Sequence, residues 1–349
     1  MKIAIIGAGI FGCTLSLILS KKKSNKIHLY EKNSDIMQQA SKYNQQRFHH
    51  GFHYPRSQKT LNEISESRKS FEKFYGKDIF GKTKNYYGLV EKNGKTKKNE
   101  YLRFLKKNNL NFKVNNHKNF SHRIDLKILT NEKILHYNKL KNKIKFLIKK
   151  SNIKLKINQP FKNADKEKFD YIFVCTYSEN NKNLKKLDIN DLNKFRYELI
   201  EKMIIQLPNK YKKLSYVIID GKFLCIDPYL GTKYHLLSHV KYSKIEIKNS
   251  ILGKFNNSHS KKIGKFIKIK NNKNFIKYIN DGKKYLPFLK LSKYVGSFFG
   301  VRVIEVYKEK TDQRTNLFKK HTKKIFSISS GKWNTAVHIS NKVKEYLKL

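Results

Sequence analysis

The sequence predicts an α/β protein with a Rossmann-like dinucleotide-binding unit and a second region of mainly strand character. Three observations predict it. Residues 2–31 read as a complete β-α-β unit around a Gly-x-Gly-x-x-Gly turn. Further strand-like runs lie at 152–157, 169–176 and 324–329, and 195–300 is dominated by long runs of strand character. With 349 residues, of which 39% are hydrophobic and 13% aromatic, the chain has the apolar side chains to fill two cores.

The first strand, KIAII, is a short β-branched run suited to a parallel sheet buried on both faces. In the turn that follows, Gly7 permits the tight bend, Gly9 lets the backbone approach a pyrophosphate, and Gly12 lets the helix pack closely on the strand. Ala8, Ile10 and Phe11 complete this turn and aim a helix N-terminus at the phosphates. The helix carries Lys21, Lys22 and Lys23 at its C-terminal end, and KIHLY closes on Glu31, which is placed to accept hydrogen bonds from ribose hydroxyls, with Lys32 beside it. An acid there disfavours a 2'-phosphate. The uncharged stretch from Ile3 to Ser20 could pass for a signal anchor, but its fixed glycine pattern and lack of a small-x-small cleavage site favour a buried strand and helix.

Residues 40–57, ASKYNQQRFHHGFHYPRS, are polar and rich in His, Arg and Tyr. His49 and His53 are spaced as two helical metal ligands would be. Gly51 and Pro55 oppose a helix, and no third ligand stands nearby in the sequence, so no metal site is expected. The turn, the acid and the pattern A-S-x-x-N-x-x-x-x-H-x-G-F-x-Y resemble the FAD-dependent oxidoreductases of the D-amino-acid oxidase and glycine oxidase superfamily, with the L-2-hydroxyglutarate oxidase-like branch as the nearest pattern. This likeness implies FAD as cofactor, held in a discontinuous, glutathione-reductase-like domain. It makes Ser41, Asn44, Arg47 and Gly51 cofactor-binding positions and turns His49, His53 and Tyr54 toward flavin and substrate. Where the hydroxyglutarate branch usually has Asn-Ser-Gly, this chain has Asn-Gln-Gln, so the substrate is not inherited with the likeness.

From Ile124, apolar residues Ile134, Leu135, Leu140, Ile144, Leu147 and Ile148 recur at helical spacing and predict an amphipathic core helix. In the order that the superfamily shares, the strands beyond it place Phe161 near the adenine and Thr176 near the ADP moiety. The likeness implies a discontinuous Rossmann-like FAD-binding domain over 1–80, 124–194 and 301–349, interrupted by an inserted α+β substrate domain, built on a mainly antiparallel sheet, over 81–123 and 195–300. At the C-terminus a strand, the turn SGKWNT and a helix follow one another, with Asn334 or Thr335 as N-cap. The likeness aims this helix at the flavin, making Gly331, Lys332, Trp333, Asn334 and Thr335 cofactor-binding. Lys332 is the expected cation that stabilises charge on reduced flavin; otherwise it is one more surface lysine.

The formal net charge is +51, yet 69 of the 77 basic residues are Lys and only 8 are Arg. A nucleic-acid footprint favours Arg and clusters on one face, whereas these lysines are scattered, so no specific nucleic-acid partner is expected. Against that background Arg302 stands out as a clamp for a substrate carboxylate, with a structural ion pair as the alternative; Arg314 is a similar case. Three distant cysteines without CxxC spacing fit a reducing, cytoplasmic setting, and no transmembrane segment is expected. The expected activity is hydride transfer from the C–H of a small, anionic amino- or hydroxy-acid-like substrate to flavin N5, with oxygen or a quinone as electron acceptor. A sugar-nucleotide mutase and a flavoprotein acting on tRNA are the alternatives.

Overall fold

The computed structural model describes residues 1–306 and 316–348; Arg314 lies outside the described residues. Two sheets organise them. The first has the strand order 317–320, 325–329, 171–174, 2–6, 26–30, 154–156. All its pairings are parallel except that of Leu317–Lys320 with Ile325–Ser329. Ile3 to Ile6 are buried on both faces, as an inner parallel strand requires. Helix Ile10–Leu19 is buried almost throughout because helices Tyr137–Lys149 and Ala336–Tyr346 pack against it.

The second sheet has ten strands, ordered 266–267, 293–305, 195–206, 234–239, 224–228, 214–219, 84–89, 126–130, 112–114, with 244–250 also paired to 195–206. Only the pairing of Leu214–Ile219 with Lys84–Leu89 is parallel. Its register decides what each face carries, because side chains alternate along a strand. One transverse row, Met203, Leu237, Ile226, Tyr216 and Tyr86, lies in an apolar core. Lys202, Ser238, Cys225, Val217 and Tyr87, one residue along each strand, share the opposite face.

Two sequence expectations change here. The strand Leu126–Thr130 pairs with Lys84–Leu89 in the large sheet, although it falls in the 124–194 block assigned to the nucleotide domain. Its residues alternate, with Leu126, Ile128 and Thr130 buried, so its period is two and the helix begins only at Tyr137. Ile134 belongs to a short strand paired with Arg47 and Phe48. Likewise Lys293–Glu305 is one strand, so the large sheet runs past the expected boundary at 300.

Candidate active site

A cavity of about 1230 Å³ lies between the glycine turn and the large sheet. It exceeds the ~300–1,000 Å³ typical of small-molecule sites, leaving room for an extended cofactor beside a substrate. At one end, Gly7 has φ +99°, and a Cβ there would sit 2.8 Å from the Thr176 methyl. A Cβ on Gly12 would sit 1.9 Å from the Gly7 carbonyl oxygen, so helix and turn touch because neither residue has a side chain. Gly9 differs: it lines the cavity, and a Cβ there would meet only the Ser41 hydroxyl, at 3.5 Å.

Polar groups complete this end. The Ser41 hydroxyl accepts the Ile10 N–H at 3.1 Å, leaving its own proton to donate. One Glu31 oxygen accepts the Ala8 N–H at 2.9 Å, and the other accepts the Asn33 N–H at 2.9 Å. Phe161 packs edge-on to Tyr30 at 5.0 Å, and Thr176 is held by Asn180. Lys32 pairs with Glu179 at 2.6 Å on the rim. Bare glycine backbone, first-turn helical N–H groups and a buried carboxylate are what a pyrophosphate and a ribose need, so these residues fit a dinucleotide. Ala8 and Gly12 shape the turn without lining the cavity.

The turn after Ile325–Ser329 supplies another wall. Ser330, Gly331, Lys332 and Trp333 line the cavity, and the Trp333 indole N–H is buried without a partner. Lys332 is 5% exposed, with its ammonium 4.8 Å from the Tyr54 ring centre, so it is no surface lysine. Thr335 and Asn334 do not cap the helix with their side chains. The Thr335 hydroxyl donates to the Lys332 carbonyl at 2.8 Å, and the Asn334 amide reaches the His49 carbonyl at 3.4 Å, so both brace the turn.

A buried charge cluster underlies the segment 47–54. The Arg47 Nη1 donates to Glu132 at 2.7 Å, and its Nη2 to Asp227 and Ser215. Arg47 therefore spends its charge on protein carboxylates while it borders the cavity in which the cofactor contact is expected. Glu132 also accepts from the Tyr87 hydroxyl and, at 2.8 Å, from the His50 backbone N–H. Burial alone would raise its pKa, but Arg47 and the neighbouring histidines hold it below the usual carboxylate range.

His53 and His49 sit above this cluster, their rings 5.1 Å apart. Tyr87 has one proton, which goes to Glu132, so the contact of 2.8 Å with His53 Nδ1 requires the imidazole to donate from Nδ1. Nε2 is left as the acceptor. Burial, then the neighbouring cations, pushes His49 well below the ordinary imidazole value; burial and His49 do the same to His53. Glu132 is the third metal-ligand type that the sequence did not place here, since ligand atoms of His49, His53 and Glu132 lie within 4.8 Å of one another. The guanidinium of Arg47 on Glu132 opposes a second cation, so the trio reads as a proton network.

Two expected positions leave the site's chemistry. Gly51 has φ +116° and packs toward Leu61, 2.1 Å from where its Cβ would stand; it does not line the cavity. Arg302 borders the cavity, but its Nε donates to Glu198 at 2.7 Å and its Nη2 to the same carboxylate, directly across the strand pair. That is the structural ion pair, not a free clamp. Asn44 lines the cavity and turns its side-chain oxygen to the Gln46 N–H.

Tyr87, Glu132, Ser215, Asp227 and Lys202 were not anticipated as site residues. Asp227 offered a signal, an acid inside the apolar strand Leu224–Pro228; Glu132 offered little, standing in a polar turn.

Residues 2–111 match the family model described as FAD dependent oxidoreductase (DAO). The FAD-dependent monooxygenase kojA of Aspergillus flavus is 37% identical over 75 residues, a match covering 22% of this chain and 17% of that protein's length. Among solved structures, an FAD-bound L-alpha-glycerophosphate oxidase from Mycoplasma pneumoniae superposes with a TM-score of 0.73 at 14% identity, covering 100% of this chain and 94% of that one. L-proline dehydrogenase from P. horikoshii gives 0.73 at 10% identity, covering 99% and 92%, and glycine oxidase from Geobacillus kaustophilus gives 0.70 at 10%, covering 99% and 94%. The sequence match falls on the glycine turn, Glu31 and the His49–Tyr54 segment, so residues 2–111 are a segment of the DAO, FAD-dependent oxidoreductase type, and the residues of that segment fit FAD as cofactor.

Proposed function

We propose that the protein is a cytoplasmic oxidase or dehydrogenase acting on a small, anionic amino- or hydroxy-acid-like substrate. One observation carries this reading: a single cavity joins the dinucleotide turn to a wall made of His49, His53, Tyr54 and Lys332. FAD, when bound, supplies the two-electron acceptor for a hydride leaving the substrate C–H, at flavin N5. Gly9, Phe11 and Ser41 hold the pyrophosphate, Glu31 the ribose, and Phe161 and Thr176 border the adenosine. Lys332 keeps a positive charge at the turn Ser330–Trp333, and Asn44 borders the same space. Neutral His53 takes the substrate's hydroxyl or ammonium proton at Nε2, its tautomer fixed through Tyr87 and Glu132. His49 and Tyr54 orient the donor and exclude water.

The boundaries 1–80, 124–194 and 301–349 against 81–123 and 195–300 stand as the proposed division of labour, with 126–130 and 301–305 moved to the substrate side. Free cysteines 13, 175 and 225 support a reducing compartment. No helix among the described residues is long and apolar enough to cross a membrane. Oxygen or a quinone serves as acceptor. The mutase and tRNA readings are not favoured, since the similar proteins are named as oxidases, dehydrogenases, deaminases and a monooxygenase.

The test is the absorbance spectrum of the purified protein, followed by an anaerobic screen of amino acids, hydroxy acids including 2-hydroxyglutarate, and glycerol phosphate for flavin bleaching. Bleaching by one member supports the reading. A colourless protein that FAD cannot reconstitute overturns it.

A further inference from the structure

We propose that Lys202 is the anion-binding residue of the cavity, taking the charged oxygens of the substrate's carboxylate or phosphate. Lys202 lies at the middle of strand Phe195–Gln206, is 6% exposed, and lines the cavity. Its partner in register is Phe298, and with Ser238, Cys225, Val217 and Tyr87 it occupies the face of the large sheet that looks away from the apolar core. Tyr87 in that row holds His53, so the ammonium and the proposed base share one wall.

No hydrogen bond or ion pair joins the Lys202 ammonium to a described residue, and the nearby carboxylates are already engaged. Glu198 holds Arg302 and Arg196; Glu201 accepts from Asn272, Asn274 and Ser297; Asp227 holds Arg47 and Ser215. Cys225 offers no negative charge, because burial pushes its thiol up to about 12. Burial also pulls the Lys202 ammonium down to about 8. A buried ammonium with no ion-pair partner of its own, whose acting carboxylate Asp227 is already bound to Arg47, is a standing cost to the fold, and a ligand anion removes it. Arg302, tied to Glu198, cannot meet that need as freely.

Lys202's role rests on the oxidoreductase reading for what else occupies the cavity, but an anion site can be tested without flavin. Thermal midpoints of wild type, K202M and K222M, a control on the rim, are measured in glycolate, in glycerol 3-phosphate and in chloride at matched ionic strength. Either organic anion should raise the wild-type midpoint where chloride does not, and the one that does identifies carboxylate or phosphate. K202M should lose at least about tenfold in affinity, and K222M should keep it. Ligand-free K202M should melt higher than wild type, since Met fills the space without a charge. A lower midpoint would mean that the ammonium has a structural role and would overturn the proposal. So would a wild type that responds to neither anion, K202M binding within twofold of wild type, or K202M losing FAD affinity. Failure to bind FAD with the anion response intact would sink the oxidoreductase reading alone.

Discussion

At the scale of single residues, one hydroxyl proton orders the proposed proton path. Tyr87 gives it to Glu132 and accepts from His53, so removing that oxygen frees both tautomers of the imidazole. Tyr87→Phe should therefore lower kcat by about 10²-fold with little change in KM, in line with the ~10²–10⁴-fold worth of a positioned acid–base group. Steady-state kinetics on whichever substrate bleaches the flavin checks this, and unchanged kcat removes His53 as base. The acid limb of the wild-type pH profile should fall below 6.5, because His53 is neutral well below the usual imidazole value. Arg302→Lys should leave KM within a few fold, since Lys can still pair with Glu198; a large rise would restore the clamp. The sequence singled out Arg302 correctly as unusual and misjudged its partner, because Glu198 is 104 residues away and becomes a neighbour only through strand register.

Among elements, the β-α-β unit was legible because every part of it is local. A buried strand, a turn whose glycines each have a steric task, and a helix follow within 20 residues, and Gly12 shows how tight the fit is. Gly12→Ala places a Cβ against the Gly7 carbonyl and must part helix from turn, costing about 1–3 kcal/mol as overpacking does. Urea melts and the flavin content of the purified variant should both fall; a variant with normal flavin content would show that the turn has slack. The charge cluster was not legible, since Arg47, Glu132, Ser215 and Asp227 come from four separated segments and meet only once the large sheet forms. Glu132→Gln would leave Asp227 as the one carboxylate on Arg47 and would weaken the charge-assisted bonds that Arg47 and Tyr87 make to residue 132 in a buried site. A loss of about 1.5–3 kcal/mol is expected, read from the same melts. The strand Leu126–Thr130 was misread for a related reason: five alternating residues ahead of a strong helical repeat are easily absorbed into it.

For the whole molecule, the charge of +51 says less about partners than about acid. Burial lowers His49, His50 and His53 below the ordinary imidazole value, His50 to about 4. The folded state thus binds fewer protons than the unfolded chain between those values and 6.5, so stability is fully present above 6.5 and is lost as pH falls through the lowered pKa values. His50 alone accounts for about 3 kcal/mol of that loss by pH 4. Glu132 and Glu198, both held low by arginines, add a further loss below 4.5. Self-repulsion among 77 basic residues acts in the same direction as the 26 acids protonate, and salt separates the two causes. Repulsion is screened within a Debye length, whereas burying a histidine is not. Urea melts from pH 8 to pH 4.5 should show stability falling below 6.5 in both low and high salt, and His50→Gln should flatten part of that slope. If high salt alone abolishes the slope, surface charge and not the histidine cluster governs acid stability.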